Sequence, residues 1–281
     1  MPSASALSLE SSAVGTDHGS RLHLARTATR HSTRLLFVTL CVGGTLATVQ
    51  AADPADGSGS CTAHSGAAIP AVVELYTSEG CSSCPPADRW LSTLTTQRDV
   101  IALAFHVDYW DHLGWMDPFG NPAFTARQSQ QQAVNGSRFR YTPQVTINGI
   151  DARHWSGLRA PITVAPIAAP VEAQLSRDGD RYTAVVQPVV GAKARIGAYW
   201  AVTENGLLSE VRRGENGGST LAHDFVVRDY RLVAPWASTD GSKTLSFSPL
   251  PAPATGRRRQ INLVVFDADT GRPVQAVKLG C

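Results

Sequence analysis

Residues Glu74–Trp90 read ELYTSEGCSSCPPADRW, a stretch that joins an apolar strand to a helix through two cysteines. The run PAVVELYTS before the pair is rich in β-formers, whereas PPADRWLSTLTT after it places apolar residues at helical spacing. Cys81 therefore follows a strand, and Cys84 lies in the first helical turn, where the two following prolines need no intrahelical hydrogen-bond partner. Such a pair is a redox couple, half of a metal site or a structural staple.

The alternation of strands and helices extends over about ninety residues, which include this stretch. DVIALAFHV is near-continuously apolar, as a buried parallel strand is. PAFTARQSQQQAV has helix-forming content with Phe124 and Val134 facing inward, and YTPQVTING gives another strand after Pro143. The order β-α-β-α-β predicts a parallel or mixed sheet with helices on its faces over residues 69–160.

Residues 171–281 have a different pattern. Short alternating runs are separated by turn sequences such as ENG and NGG, and no helical periodicity persists. About seven strands of this kind predict an antiparallel β-sandwich. A Pro- and Ala-rich connector at 161–170 and a flexible lead-in at 52–68 complete the predicted domain organisation.

The first 51 residues have the features of a signal peptide. Four arginines precede the apolar run LLFVTLCVGGTLATV, and Val49-Gln50-Ala51 is a small-residue site of the A-x-A kind. About fifteen apolar residues are short for the ~20 that a transmembrane helix needs. We expect cleavage after Ala51 and a periplasmic or extracellular protein with no membrane attachment thereafter.

Charge excludes one class of partner. The chain beyond residue 51 carries 21 basic and 21 acidic residues. A net charge of zero provides no long-range field for nucleic acid or an anionic membrane. The basic run Arg257–Arg259 is expected to be a solvated loop.

Four cysteines remain once the signal is removed, and an even count favours pairing in an oxidising compartment. Three connectivities are available, of which the local pair Cys81–Cys84 leaves Cys61 for Cys281. We expect that second bridge to be structural. A loop of about 220 residues gives roughly 5 kcal/mol in the chain-entropy model, as an upper figure.

The position of the local pair predicts redox chemistry. Unsatisfied backbone N–H groups and the helix dipole stabilise a thiolate at Cys81, so Cys81 is the expected nucleophile and Cys84 the resolving partner. About sixty residues later, Thr142-Pro143 precedes an apolar strand. A cis bond there would let Thr142 offer its backbone beside Cys81. No zinc site is expected, because a second ligand pair is missing.

Three further residues are candidates for supporting the cysteines. His106 and Asp108 lie where the second strand ends, and the carboxyl ends of parallel strands are where sites form in α/β sheets. They tune the thiols, or His106 joins Cys81 and Cys84 in binding a soft metal such as copper(I), or they only tie down a loop. Glu74 assists proton transfer or pairs with a basic residue on the other face of the sheet.

These motifs in their order resemble known families. The strand, C-x-x-C, helix and later Thr-Pro are similar to the thioredoxin-like fold, in which the proline is cis and lies against the active-site pair. The buried aspartate that thioredoxins place six residues before the first cysteine is replaced here by Leu75. VVELYTSEGCSSCPPAD, FHVDYWDHLGWMDPF, FTARQ and YTPQ resemble the secreted bacterial family called domain of unknown function 1223, which implies export and a thioredoxin-like fold.

The sequence therefore predicts an α/β thioredoxin-like domain followed by an all-β sandwich-like domain. The expected function is that of an exported thiol–disulfide oxidoreductase that needs no cofactor. Its expected partners are protein thiols or disulfides and a redox partner. Two alternatives stay open, a copper(I) carrier and a noncatalytic interaction module with structural disulfides.

Overall fold

The computed structural model of the protein describes residues 61–189, 195–252 and 256–281. The predicted signal at 1–51 and the lead-in up to residue 60 lie outside these ranges. The described strands are β1 Cys61–His64, β2 Ala71–Thr77, β3 Val100–His106, β4 Gln144–Ile147, β5 Ile150–Asp151, β6 Val171–Asp178, β7 Arg181–Pro188, β8 Arg195–Glu204, β9 Leu207–Glu210, β10 Thr220–His223, β11 Val226–Ala237, β12 Lys243–Phe247, β13 Arg259–Asp267 and β14 Pro273–Leu279. The α-helices are α1 Pro85–Ser92 and α2 Pro122–Val134, and short 3-10 helices cover Thr93–Thr96, Asp111–Leu113, Trp155–Gly157 and Ser238–Asp240.

One eight-stranded mixed sheet organises the described chain, in the order β14-β13-β8-β11-β3-β2-β4-β5. β2 and β3 run parallel, and every residue of both strands is buried, which explains their near-continuous apolar sequences. A second sheet has the order β1-β6-β7-β12, and β9 pairs with β10 as a separate hairpin. The lead-in expected at 52–68 thus includes β1.

The two larger sheets pack face to face through an apolar core. Val171 and Leu175 of β6 and Phe247 of β12 meet Trp200 of β8 and Leu263 of β13 in this core. Along β6 the residues alternate between buried and exposed, as expected when one face of a strand meets solvent. The eight-stranded sheet is therefore one layer of the sandwich and also the sheet on which the helices pack.

Both helices pack on the eight-stranded sheet. Trp90 and Leu91 of α1 join a cluster on the face of β2 that carries Leu75. The helix α2 begins at an N-cap, Asn121, whose side chain accepts from Ala123 N at 2.9 Å. Its residues match the predicted helix.

The inward face of α2 differs from the prediction. Phe124 is buried as predicted, whereas Val134 is 44% exposed. The remaining buried positions are Arg127, Gln128 and Gln131, at the three- and four-residue spacing of one helix face. Sequence reasoning missed this face because three of its four members are polar.

The prediction of an α/β thioredoxin-like domain followed by a separate β-sandwich is wrong. β11 pairs in parallel with β3 at Val226 and Ala104, and Ala104 N–H donates to the Phe225 carbonyl at 2.8 Å, so strands of both segments form one sheet. Among the described residues, two α-helices accompany fourteen strands. A buried strand needs partners on both edges, and the local apolar pattern of β3 does not indicate which distant strand supplies the second. The bounds 69–160, 161–170 and 171–281 remain predictions.

Cys61 and Cys281 form a disulfide with a Cα–Cα distance of 6.3 Å across a separation of 220 residues. This is the long-range bridge that the cysteine count predicted. Disulfides are typical of proteins in the periplasm or outside the cell. Within the described ranges, every helix is too short or too polar to cross a membrane.

Candidate functional site

The second disulfide joins Cys81 and Cys84 at the start of α1. Cys84 is the N-cap residue, Pro85 and Pro86 occupy the first helical positions, and Ala87 N–H donates to the Cys84 carbonyl at 2.8 Å. The Cα atoms of the two cysteines are 5.4 Å apart. The predicted local pairing and its strand-to-helix position are confirmed. Both cysteines are buried, at 1% and 0% exposure.

Thr142 and Pro143 lie beside this disulfide. Their peptide bond is cis, and the Ser83 hydroxyl donates to the Thr142 carbonyl at 3.4 Å. The same hydroxyl lies 3.4 Å from Cys81 Sγ. Trp110 Nε1 donates to Thr142 Oγ1 at 2.8 Å, which fixes the side chain of the threonine.

A groove of about 430 Å³ begins at this threonine and proline. Three of its six lining residues are aromatic, and Phe139 at its edge is 68% exposed. The lining residues are Phe139, Tyr141, Thr142, Pro143, Arg153 and Trp155. The groove is thus an apolar surface next to the disulfide.

A loop at residues 211–219, between β9 and β10, is hydrogen-bonded to the turn that contains the disulfide, and we call it the covering loop. Asn216 donates through Nδ2 to the carbonyl oxygens of Glu79, at 2.8 Å, and Cys81, at 3.0 Å. Ser82 N–H donates to the Glu215 carboxylate at 3.0 Å, and hydrogen bonds from the side chain and the backbone of Ser82 lower the pKa of Glu215. The covering loop therefore ties itself to the backbone on both sides of Cys81.

Gly80 explains how the aromatic loop after β3 approaches the cysteine turn. A Cβ atom at this position would lie 2.9 Å from Trp110 Cβ. Only glycine leaves room for that contact without a shift of the backbone. The close packing of Trp110 thus explains why the residue immediately before Cys81 is a glycine.

Glu74 lies on the face of the sheet opposite α1. Its Oε1 accepts from Arg127 and from Tyr199 Oη, and its Oε2 accepts from Tyr76 Oη at 2.7 Å. Burial and the Glu74 carboxylate raise the pKa values of Tyr76 and Tyr199 well above 10. Burial lowers the pKa of Arg127, but Glu74 together with the nearby Tyr76, Tyr199 and Tyr230 outweighs it and the net shift is upward. Glu74 thus makes the ion pair with a basic residue that its strand position allowed.

His106 and Asp108 have separate partners. His106 is fully buried at the end of β3, and its Nδ1 lies 2.7 Å from Asp117 Oδ2. Burial raises the pKa of Asp117, but His106 and backbone N–H donors outweigh it and the net shift is downward. Asp108 accepts from the Thr125 hydroxyl, which fastens the loop to α2. Asp108 therefore has a loop-anchoring contact.

Three buried residues, Asp88, His106 and His223, each place a possible metal-ligand atom within 4.8 Å of the others. We call this group the histidine cluster. His223 Nδ1 is 3.5 Å from Asp88 Oδ1, and His223 Nε2 is 3.3 Å from Glu79 Oε1. Burial lowers the pKa of His223, but the carboxylates of Asp88 and Glu79 together have a larger, upward effect, and the net pKa is about 9. The hydroxyl of Thr77 holds Asp88 Oδ2 at 2.8 Å.

Sequence reasoning found only one member of the histidine cluster, His106. Among the described residues, the possible metal ligands that lie together do not include Cys81 or Cys84. Asp88 is four residues after Cys84 and reads as an ordinary first-turn acid. His223 is more than a hundred residues from His106 along the chain, and no local pattern distinguishes it.

The described chain thus defines a β-rich protein with a mixed sheet, a C-x-x-C disulfide at a strand-to-helix junction and a buried histidine cluster beside it. The chain belongs to the family described as "Protein of unknown function (DUF1223)", whose model matches residues 72–266. This match confirms the resemblance that the four sequence motifs indicated.

Two solved structures are similar to this chain. One is the X-ray structure of a protein from Agrobacterium tumefaciens, with 27% identity, a TM-score of 0.52, and coverage of 75% of this chain and 94% of that one. The other is HBP35 of Porphyromonas gingivalis, with 16% identity, a TM-score of 0.48, and coverage of 76% and 75%. That second likeness is too weak to carry an argument. The comparison with curated proteins gives no match.

Proposed function

We propose that the protein is an exported thiol–disulfide oxidoreductase that acts through Cys81 and Cys84 on protein thiols or disulfides. The observation that carries the proposal is the disulfide at the start of α1, in contact through Ser83 with Thr142 and next to an apolar groove. Backbone N–H groups at a helix start favour a thiolate, which is the reactive form of cysteine.

The proposed reaction is thiol–disulfide exchange. A substrate thiolate attacks Cys81 Sγ, the bond to Cys84 breaks, and Cys84 leaves as a thiolate that takes up a proton. A second substrate thiol, as its thiolate, then attacks the substrate sulfur of the mixed disulfide and releases Cys81. Two electrons pass from the substrate dithiol to the cysteine pair. A low-molecular-weight disulfide such as oxidised glutathione accepts them when the pair is reoxidised, and the reverse sequence reduces a substrate disulfide.

The groove beside Pro143 suits an extended polypeptide. Tyr141, Phe139 and Trp155 provide apolar surface for substrate side chains, and the backbone around Thr142 lies closest to the disulfide. Pro143 has no N–H group, so this residue offers only its carbonyl oxygen to an approaching backbone. The substrate class we propose is therefore an unfolded or flexible protein segment that carries cysteine.

Exchange requires movement of the covering loop. Because both sulfurs are buried and Asn216 is bonded to the Cys81 carbonyl, a substrate reaches the disulfide only after the covering loop leaves. Loops held by few hydrogen bonds open at low free-energy cost. The covering loop would thus restrict which substrates react.

Mixed-disulfide trapping tests this proposal. In the producing cells, the free Cys81 thiolate of a Cys84→Ser variant attacks a substrate disulfide and displaces one substrate thiolate, and Cys84 is missing for the attack that would release the partner. A partner joined to Cys81 should therefore accumulate and should be released by a reductant. The matched control is the double variant Cys81→Ser and Cys84→Ser, which retains the Cys61–Cys281 bridge and should capture nothing. If the single variant captures no more than the double variant, the proposal is wrong.

A second candidate function is a noncatalytic interaction module with two structural disulfides, and the burial of both Cys81 and Cys84 favours it. The reduction potential separates the two functions. A potential below about −300 mV is typical of structural disulfides, whereas catalytic pairs have less negative values. Equilibration of the protein with dithiothreitol redox buffers, read by alkylation and mass spectrometry, gives this potential.

A further inference from the structure

Three possible donor atoms of the histidine cluster lie within 4.8 Å of one another. Asp88 comes from α1, His106 from the end of β3 and His223 from the end of β10, so three separate elements converge on one point. The 3.5 Å between His223 Nδ1 and Asp88 Oδ1 is long for a hydrogen bond. It is close to the separation of two ligands around a tetrahedral zinc ion, on the order of 3.3 Å for bonds of about 2.0 Å.

Free buried donor atoms point into the histidine cluster. His106 Nε2 and His223 Nδ1 are buried and have no hydrogen-bond partner among the described residues, although His223 Nδ1 lies 3.5 Å from Asp88 Oδ1. His106 and His223 are 0% and 2% exposed, so bulk solvent does not reach these atoms. Buried polar atoms without a partner are rare in folded proteins, and a bound ion is one explanation for them.

Each histidine also has a carboxylate on the side away from the point of convergence. His106 Nδ1 contacts Asp117 Oδ2 at 2.7 Å, and His223 Nε2 is 3.3 Å from Glu79 Oε1. A carboxylate behind a ligating imidazole fixes its ring and tautomer, and this arrangement recurs at protein zinc sites. Asp117 in turn accepts from Glu79 N–H at 2.8 Å, so the two outer carboxylates belong to one network.

We infer that Asp88 Oδ1, His106 Nε2 and His223 Nδ1 form a binding site for a divalent first-row transition metal ion of the zinc type. Two imidazoles and a carboxylate suit such ions, whereas calcium and magnesium prefer oxygen ligands alone. The site contains no thiolate and is thus separate from the disulfide.

The site has an access route and an open coordination position. A cavity of about 150 Å³ between α1 and β10 is lined by Asp88 and His223, together with Pro85, Arg89, Thr220, Leu221 and Ala222. Three protein ligands leave the fourth position of a tetrahedral ion for water or a substrate group. A metal ion there would join the hairpin β9–β10 to α1 and so hold the base of the covering loop.

Zinc titration of the metal-free, disulfide-bonded protein without a histidine tag tests the inference. In competition with a chromophoric chelator, we expect one equivalent of Zn²⁺ to bind, and Co²⁺ to give the visible absorption of a tetrahedral site. Asp88→Asn and His223→Gln should abolish this binding. Asp117→Asn, which changes only an outer carboxylate, should weaken it about 10- to 100-fold.

Two controls make the result specific. His112→Gln replaces an exposed histidine in the loop after β3 and should bind zinc as the unchanged protein does. The double variant Cys81→Ser and Cys84→Ser should also bind normally, which separates this site from the cysteines. Near-UV circular dichroism checks that each variant is folded. Absence of stoichiometric Zn²⁺ binding by the unchanged protein overturns the inference. So does Zn²⁺ binding by the folded His223→Gln variant that is as tight as the binding by the folded Asp117→Asn variant.

Discussion

Asn216 donates a hydrogen bond of 3.0 Å to the backbone carbonyl of Cys81, from a position 135 residues further along the chain. The same amide donates to the Glu79 carbonyl at 2.8 Å. The backbone that carries the disulfide is therefore held by a loop from the distant half of the chain. This contact makes access to the disulfide a property of the covering loop as well as of the cysteines.

Asn216→Ala is expected to accelerate reduction of the Cys81–Cys84 disulfide by dithiothreitol by on the order of tenfold. The variant loses two hydrogen bonds of about 1 kcal/mol each, so the covering loop opens more often. Timed alkylation and mass spectrometry measure the rate. Asn135→Ala is the matched control, because its amide also donates to two backbone carbonyls, of Gln131 and Gly149, away from the disulfide. Equal rates for both variants would show that the loop does not limit access.

Arg127→Met is expected to lower the free energy of unfolding by about 3–5 kcal/mol, because it leaves Glu74 as a buried charge without its ion-pair partner. The double variant Glu74→Gln and Arg127→Met should recover much of this loss. Urea denaturation measures both. Arg153→Met is the control, since Arg153 is 68% exposed and its pair with Asp151 is worth less than about 1 kcal/mol. A loss below 1 kcal/mol for Arg127→Met would contradict a stabilising role.

Stability is expected to fall above pH 10. Burial and Glu74 hold the pKa values of Tyr76 and Tyr199 well above 10, so these tyrosines lose protons in the unfolded state first. The stabilisation is complete below the unfolded pKa of about 10 and is lost above it, by about 1.4 kcal/mol per pH unit for each tyrosine. Urea denaturation at several pH values measures the slope. Tyr199→Phe should reduce it, and an unchanged slope would contradict the assignment.

The amide of Ala104 is expected to exchange slowly with solvent deuterium, at a rate set by global unfolding. Its hydrogen bond to Phe225 joins β3 to β11 in the middle of the eight-stranded sheet. Amides of the edge strand β5 should exchange much faster. Exchange at Ala104 as fast as in β5 would mean that the two segments separate, as the predicted independent domains would.

The sequence was sufficient for the local features of the site. Cys81 and Cys84 were placed correctly at a strand-to-helix junction, because proline position and apolar periodicity act over a few residues. The pairing of Cys61 with Cys281 followed from an even cysteine count and from the short spacing that makes Cys81 and Cys84 the local pair. The bounds of α2 were also predicted.

The long-range strand pairings could not be predicted from the sequence. The pairing of β3 with β11 depends on which of many apolar strands completes a sheet, and no local pattern encodes that choice. The approach of His223 to His106 follows from the same pairing, since β10 immediately precedes β11. Arg127 is buried although charged residues rarely are, and its ion pair with Glu74 explains its position.

The bridge between Cys61 and Cys281 closes the chain between these residues into a covalent ring. A protease that cuts one exposed loop inside this ring opens it without releasing a fragment. The two strands that carry the cut ends stay paired within their sheets, and the pieces separate only after a reductant has also acted. Damage of this kind outside the cell would therefore leave a nicked protein that still holds its second disulfide and its groove in place.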